Sequence, residues 1–240
     1  METVFIEARW EGTPNLTKVK EYCTQNNIKK LAVFSSVQFV DLELFSKELE
    51  GIEVLITKAK RTHYKGQILG CDSYHDSFKE DIIGEADAVL YVGDGKFHYN
   101  ALLLSMAYNK CDKELIVYDP TTDVLSTHSS SEVMHILKRI KGRILKLLTS
   151  NKVGILVSNK PGQCHRQMAL KLKDKLETDG KKVFIFVDNT FDFKHCEDYN
   201  FIDIWINTAC PRIGQDDDWG VPMLNVREAL DPEKFLEMLD

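Results

Sequence analysis

Five short segments hold most of the side chains in this sequence that could do chemistry. Gly66-Gln67-Ile68-Leu69-Gly70-Cys71 presents a thiol straight after a short apolar run. Thr208-Ala209-Cys210-Pro211-Arg212 places a second thiol before a proline and an arginine. A thiolate is both a nucleophile and a ligand for soft metals. Proline has no N–H with which to continue a central strand, so the chain is expected to turn at Cys210 and expose its sulfur in a crevice. Gly93-Asp94-Gly95-Lys96-Phe97-His98 combines two glycines, a cation and an imidazole. Ser158-Asn159-Lys160-Pro161-Gly162-Gln163 leads into a helical pattern, whose N-terminus can hold a carboxylate or another anion. Ser36-Val37-Gln38 completes the set.

Each segment also has a plainer reading. Gly93-Asp94-Gly95 is also the pattern of a tight turn. A dinucleotide fingerprint would want glycine or alanine at position 98, where His98 stands. Ser158 to Gln163 lacks the Gly-Lys-Ser/Thr ending of a phosphate-binding loop. The other cysteines are Cys23, Cys111, Cys164 and Cys196, and no two cysteines form a C-x-x-C pair. Without paired ligands a zinc knuckle is excluded, and most of these thiols read as small buried apolar groups.

The elements that must position these residues are those of an α/β protein. Short runs rich in Val, Ile and Phe predict strands over 3–8, 30–35, 53–56, 88–92, 114–118, 153–157, 182–187 and 202–207. Amphipathic patterns between them predict helices over 41–49, 101–108 and 164–178, the last closed by Gly180. Such alternation signals βαβ units around parallel sheets, in which ligands bind beyond the carboxyl ends of the strands. All five segments fall at such ends. The expected fold is therefore two consecutive parallel-sheet α/β modules, over 1–125 and 126–240, with no sequence repeat of fixed period. After Ser129-Ser130-Ser131 with Glu132, a cap pattern, a helix of about 18 residues is expected up to Leu148. Its basic residues Lys138, Arg139, Lys141, Arg143 and Lys146 suit either a membrane or calmodulin-like surface, or a connector with solvated charges. The connector is the preferred reading.

Composition narrows the classes. With 31 Lys plus Arg against 37 Asp plus Glu, the net charge of −6 argues against a nucleic-acid-coating protein. No apolar run approaches the ~18 residues needed to cross a bilayer. Residues 1–10 carry Glu2 and Glu7 and have no basic region before an apolar core, so no signal peptide is expected and the cytoplasm is the default compartment. In that reducing compartment, and in a chain of 240 residues, a disulfide scaffold is not expected.

Taken together, these motifs resemble the diphthamide synthase family, the 2-(3-amino-3-carboxypropyl)histidine synthase subunits. The resemblance rests on Gly66 to Cys71, on Ala86-Asp87-Ala88-Val89-Leu90-Tyr91-Val92 running into Gly93 to His98, on Tyr118-Asp119-Pro120, and on Asn207 to Arg212. Ser35-Ser36-Val37-Gln38-Phe39 and Trp219 with Pro222 fit as well. The motifs keep the family's order over nearly the whole chain, and the Gly-Asp-Gly-Lys-Phe-His and Tyr-Asp-Pro forms lean towards the eukaryotic-type catalytic subunit.

The resemblance implies a [4Fe–4S] cluster and S-adenosylmethionine, in an architecture similar to that of quinolinate synthase. Family members are 3-amino-3-carboxypropyl transferases of a non-canonical radical type. They cleave the sulfonium on its aminocarboxypropyl side and attach that group to a histidine of translation elongation factor 2. Thiolates are the natural ligands of such clusters, and the resemblance makes Cys71 and Cys210 two of them. It places Gln38, Gly93, Gly95, Lys96, Phe97, His98, Ser158, Gln163, Asp188 and Arg212 around the adenosylmethionine. Family members have three homologous modules, each donating one cysteine. This sequence is expected to carry two modules and to lack most of the first. Cys164, next to Gln163, stands as a candidate replacement ligand, whereas Cys23, Cys111 and Cys196 read as structural. The implied partners are the elongation factor as substrate, a second synthase subunit and an electron-donor protein. Three readings remain open: a transferase subunit completed by a partner chain, a non-catalytic binding subunit, or a truncated product without a competent cluster. A nucleotide-binding oxidoreductase is disfavoured by the missing glycine fingerprint.

Overall fold

Strand positions in this chain are set by continuous apolar runs, because a parallel strand covered by helices is buried on both faces. Lys30–Ser35 is buried from Leu31 onward, and Ala88–Val92 is buried throughout. The computed structural model describes residues 4, 6, 8–216 and 219–240. The strand expected over 3–8 includes residues 3, 5 and 7, which lie outside those described.

The first unit, residues 1–134, runs α1 (Thr17–Gln25), β1 (Lys30–Ser35), α2 (Leu42–Glu48), β2 (Glu53–Leu55), α3 (Ile82–Glu85), β3 (Ala88–Val92), α4 (Lys96–Tyr108), β4 (Leu115–Asp119) and β5 (Val124–His128). Among the described residues its sheet has five strands in the order β2-β1-β3-β4-β5, all parallel except the β4–β5 pair. The second unit, residues 135–240, continues from α5 (Met134–Thr149) through β6 (Lys152–Ser158), α6 (Arg166–Thr178), β7 (Lys182–Asp188), β8 (Ile204–Asn207), α7 (Pro211–Asp216), β9 (Met223–Asn225), α8 (Val226–Leu230) and α9 (Pro232–Leu239). Its four strands are all parallel, in the order β7-β6-β8-β9. The two-sheet α/β architecture expected from the sequence is the one observed.

Each unit has its own core. In the first, Leu31, Val33, Phe45, Leu90, Val92 and Ile116 pack with Cys23; in the second, Leu156, Ile202, Trp205 and Met223 pack with Cys196. The sheets also share a device at the start of their central strands. Asp87, just before β3, accepts the backbone N–H groups of Lys29 and Lys30 at 2.9 Å each. Asp203, just before β8, accepts those of Asn151 and Lys152 at 2.9 and 2.8 Å. These two backbone donors hold the Asp203 carboxyl below the usual carboxylate range.

Four sequence expectations change. Lys96, Phe97 and His98 form the first turn of α4 and not a loop, since Gly95 takes a positive φ of 63° and turns the chain into the helix five residues early. Strand β5 straddles the expected 125/126 boundary and pairs with β4, so it belongs with the first sheet. The long helix splits into a 3₁₀ turn at Ser130–Val133, with Ser129 as its N-cap, followed by α5. Its basic residues are not all solvated. Arg143 is buried and donates to the Gly214 carbonyl at 2.7 Å, and Arg139 donates to the Gln215 carbonyl. Both arginines thereby satisfy carbonyls near the end of α7 that the short helix leaves unpaired.

Candidate functional site

In the first unit the Cys71 segment grows directly out of the sheet. Ser35, the last residue of β1, donates to Gly66 O at 2.7 Å and accepts from Ile68 N–H at 2.9 Å. Residues 66–68 thus extend the sheet beside the carboxyl end of β1. Gln67 is buried, and its side-chain oxygen accepts from His63 and Tyr64 N–H at 3.0 and 3.1 Å, tying down the preceding loop. Cys71 itself is half-buried. Its neighbour Asp72 is 2% exposed and closes the turn from both sides. Its carboxylate accepts from Leu69 N–H at 2.8 Å, and its own N–H donates to Leu69 O at 2.9 Å. Burial pushes this carboxyl up to about 6, against the opposing pull of Leu69 N–H and Arg61.

A second segment meets the first. A Cβ on Gly70 would lie 2.2 Å from the Phe97 ring, so the absence of a side chain there lets the start of α4 approach the Cys71 turn. Gly93 likewise leaves room for the Tyr91 hydroxyl, which a Cβ would meet at 2.4 Å. Burial raises the Tyr91 phenol well above its ordinary range, with the Ser36 hydroxyl beside it pulling the other way. His98 lies stacked over the Tyr91 ring, centroids 6.5 Å apart. Gln38 sits in the 3₁₀ turn Val37–Phe39 with its side-chain oxygen buried. Cys71, Phe97, Gly93 and His98 are therefore drawn towards one end of this sheet. Lys96 is exposed there, with its charge bearing on Glu132.

The second unit gathers the remaining expected residues at the carboxyl ends of its strands. Ser158 and Asp188 close β6 and β7 as paired residues, and Asn159 N–H donates to Asp188 O at 3.0 Å. The Ser158 hydroxyl accepts from Lys160 N–H at 3.1 Å, and Gln163 N–H closes a turn on Lys160 O at 3.0 Å. Cys164 is exposed, two residues before α6. Just after the neighbouring strand β8, Thr208 donates its hydroxyl to Leu156 O at 2.7 Å and anchors the turn that carries Cys210. Pro211 opens α7, where its missing N–H costs nothing, and Arg212 follows, 4% exposed. Cys210 remains half-buried.

The six thiols separate chemically. Cys23 and Cys196 are buried, and burial pushes both up to about 11, so neither is thiolate near neutrality. Cys71 and Cys210 are partly accessible on loops at strand ends, where a soft metal centre could reach them. Among the described residues, no group of three or more His, Cys, Asp or Glu side chains is placed to hold a metal ion. The donors fit a thiolate-bound centre in kind but do not by themselves supply its full ligand set. No helix among the described residues is long and apolar enough to cross a membrane.

Sequence reasoning missed the groups that hold these loops. Asp72 had a signal, an acid immediately after a marked cysteine. Asn225, which joins the Cys210 turn from β9, had none, since only folding brings it there.

Comparison with known proteins places this geometry in context. A family model for diphthamide synthesis proteins matches residues 1–230. A 2-(3-amino-3-carboxypropyl)histidine synthase of Pyrococcus horikoshii is 26% identical over 83% of this chain and 56% of its own length. Subunit 1 of that synthase from Schizosaccharomyces pombe is 26% identical over 94% of this chain and 51% of its own length. The chain thus spans about half the length of the curated relatives it matches. A crystal structure of Dph2 from Pyrococcus horikoshii superposes with a TM-score of 0.73 at 24% identity, covering 93% of this chain and 62% of that one. A second structure of that protein, with a 4Fe-4S cluster, gives a TM-score of 0.70.

Proposed function

Because the chain belongs to the diphthamide synthesis protein family, we propose that it acts in the first step of diphthamide formation. In that step the 3-amino-3-carboxypropyl group passes from S-adenosylmethionine to a histidine of translation elongation factor 2. The observation that carries this reading is the pair of partly accessible cysteines, Cys71 and Cys210, each on a loop beyond the carboxyl ends of parallel strands. A relative of the same fold holds a 4Fe-4S cluster, which supports the two thiols as ligands here. When bound, such a cluster supplies the electron that breaks the sulfonium C–S bond.

The chain's own residues would bind and orient. Cys71 and Cys210 each supply a thiolate, and the half-buried setting of each keeps bulk water from one side. The guanidinium of Arg212, already taken from water by the fold, suits the carboxylate of the aminocarboxypropyl group. Gln38, the turn of Gly93 and Gly95, and Lys96, Phe97 and His98 form one candidate lining for adenosylmethionine. Ser158, Gln163 and Asp188 form another, with Asp188 matched to hydroxyl or ammonium groups. A second family chain is proposed to complete the ligand set, with an electron-donor protein and the cytoplasm as the working context.

Anaerobic reconstitution followed by iron and sulfide analysis and EPR tests the proposal. We expect a four-iron signal when the chain is co-expressed with a family partner, lost on Cys71→Ala or Cys210→Ala. Unchanged cluster content and adenosylmethionine cleavage in Cys210→Ala would overturn the ligand assignment. A signal from the chain alone that vanishes on Cys164→Ala would make Cys164 the replacement ligand.

A further inference from the structure

We propose that Asn225, working through Asn207, is the positioning residue that sets the direction of the Cys210 thiol; this rests on the reading of Cys210 as a ligand. Asn207 ends β8 and Asn225 ends β9, and the two are paired across the sheet. Both are almost fully buried, at 2% and 3% exposure, and all four polar atoms of their carboxamides are used. Asn207 accepts from Ala209 N–H at 3.0 Å and donates from Nδ2 to Cys210 O and to Asn225 Oδ1, each at 2.8 Å. Asn225 donates from Nδ2 to Pro211 O at 2.9 Å.

The backbone groups dictate which way each amide faces. Ala209 N–H can only donate, so it fixes the oxygen of Asn207; the opposite edge then donates, and Asn225 must answer with its own oxygen. Its nitrogen is thereby aimed at the Pro211 carbonyl. The result grips three successive residues, 209, 210 and 211, around the thiol. With the backbone on both sides of Cys210 held, its sulfur keeps only the staggered choices of χ1.

Gly214 confirms how closely Asn225 is seated. A Cβ there would lie 2.5 Å from Asn225 Oδ1 and 2.9 Å from its Cγ. The following turn is held independently, by Arg143 on Gly214 O at 2.7 Å and by Trp219 Nε1 on Ile213 O at 2.9 Å. Loss of Asn225 should therefore free the thiol-bearing turn without unravelling α7. Hydrogen bonds around ligating groups orient them and tune their affinity for metal.

The test uses the full metal-free chain and two variants. Asn225→Leu keeps the branched shape but removes both hydrogen bonds, and Gly214→Ala displaces Asn225 without replacing it. Alkylation of Cys210 by iodoacetamide is followed by mass spectrometry, with exposed Cys164 of the same molecule as the internal reference. Leu224→Ala, in the same strand but turned from the network, serves as the destabilised control. We expect the Cys210-to-Cys164 rate ratio to rise in both variants and to stay at the wild-type value in the control. In the cluster-loaded complex, iron retention against a chelator should fall about tenfold or more in Asn225→Leu. An unchanged ratio in both variants, or an equal rise in Leu224→Ala, would overturn the proposal. If the wild-type chain takes up no iron with any partner, the ligand reading fails, while the alkylation ratio still decides whether Asn225 positions the thiol.

Discussion

Asp72 shows how a single residue can carry a cost that the fold accepts. Its carboxyl is raised from the ordinary value of 3.8 to about 6 because burial outweighs the Leu69 N–H and Arg61. An acid raised on folding binds its proton more tightly in the native state. Stability is therefore greatest below the unfolded value, falls as pH rises from about 4 to about 6, and stays low above that. Asp72→Asn keeps an acceptor for Leu69 and removes the charge. In urea unfolding of the metal-free chain, the variant should be the more stable protein at pH 7.5, with the gap closing towards pH 4. Parallel pH curves for the two proteins would contradict this. The turn beside Cys71 is thus held by a carboxylate kept partly against its solvation.

Among the elements, the central strands admit the least change. Gly154 lies in β6 facing Trp205, where a Cβ would approach the indole to 2.6 Å and Ile202 to 3.2 Å. Trp205 is 2% exposed and has no room to retreat. Gly154→Ala should cost about 1–3 kcal/mol by overpacking, read as a lower urea midpoint at unchanged slope. Gly70 makes a contrasting case, because its close neighbour Phe97 is a half-exposed side chain at the start of α4 and not part of a buried core. The paired devices of Asp87 and Asp203 belong to this scale too. Each ties the start of one central strand to the residue before the next, and neither is visible as a repeat because the surrounding residues differ.

At the scale of the whole chain, a hydrophobic core among the described residues of each unit predicts that structure can be lost in one unit without the other. Leu90 is fully buried in the first core. Leu90→Ala should cost about 2–5 kcal/mol, and hydrogen exchange should report where. Protection should fall in 30–35, 88–92 and 115–119 and persist in 152–158 and 204–207. Equal loss in both sets would mean that the molecule unfolds as one cooperative body.

Much of this protein was legible before folding, because local rules wrote it. Continuous Val, Ile and Phe runs marked seven strands to within a residue or two, since a strand buried on both faces leaves no other pattern. Cysteines beside glycine and proline marked the loops that carry the candidate ligands. Two strands escaped: β5 mixes polar and apolar residues at an edge, and β9 is three residues long. The start of α4 was hidden because a positive φ at Gly95 leaves no trace in hydropathy. What only the tertiary structure decided is which distant groups hold the thiol-bearing turns. Asn225 reaches Pro211 across 14 residues, and Arg143 reaches Gly214 across 71. Sequence patterns follow burial along one element, whereas hydrogen bonds between elements depend on where the chain returns.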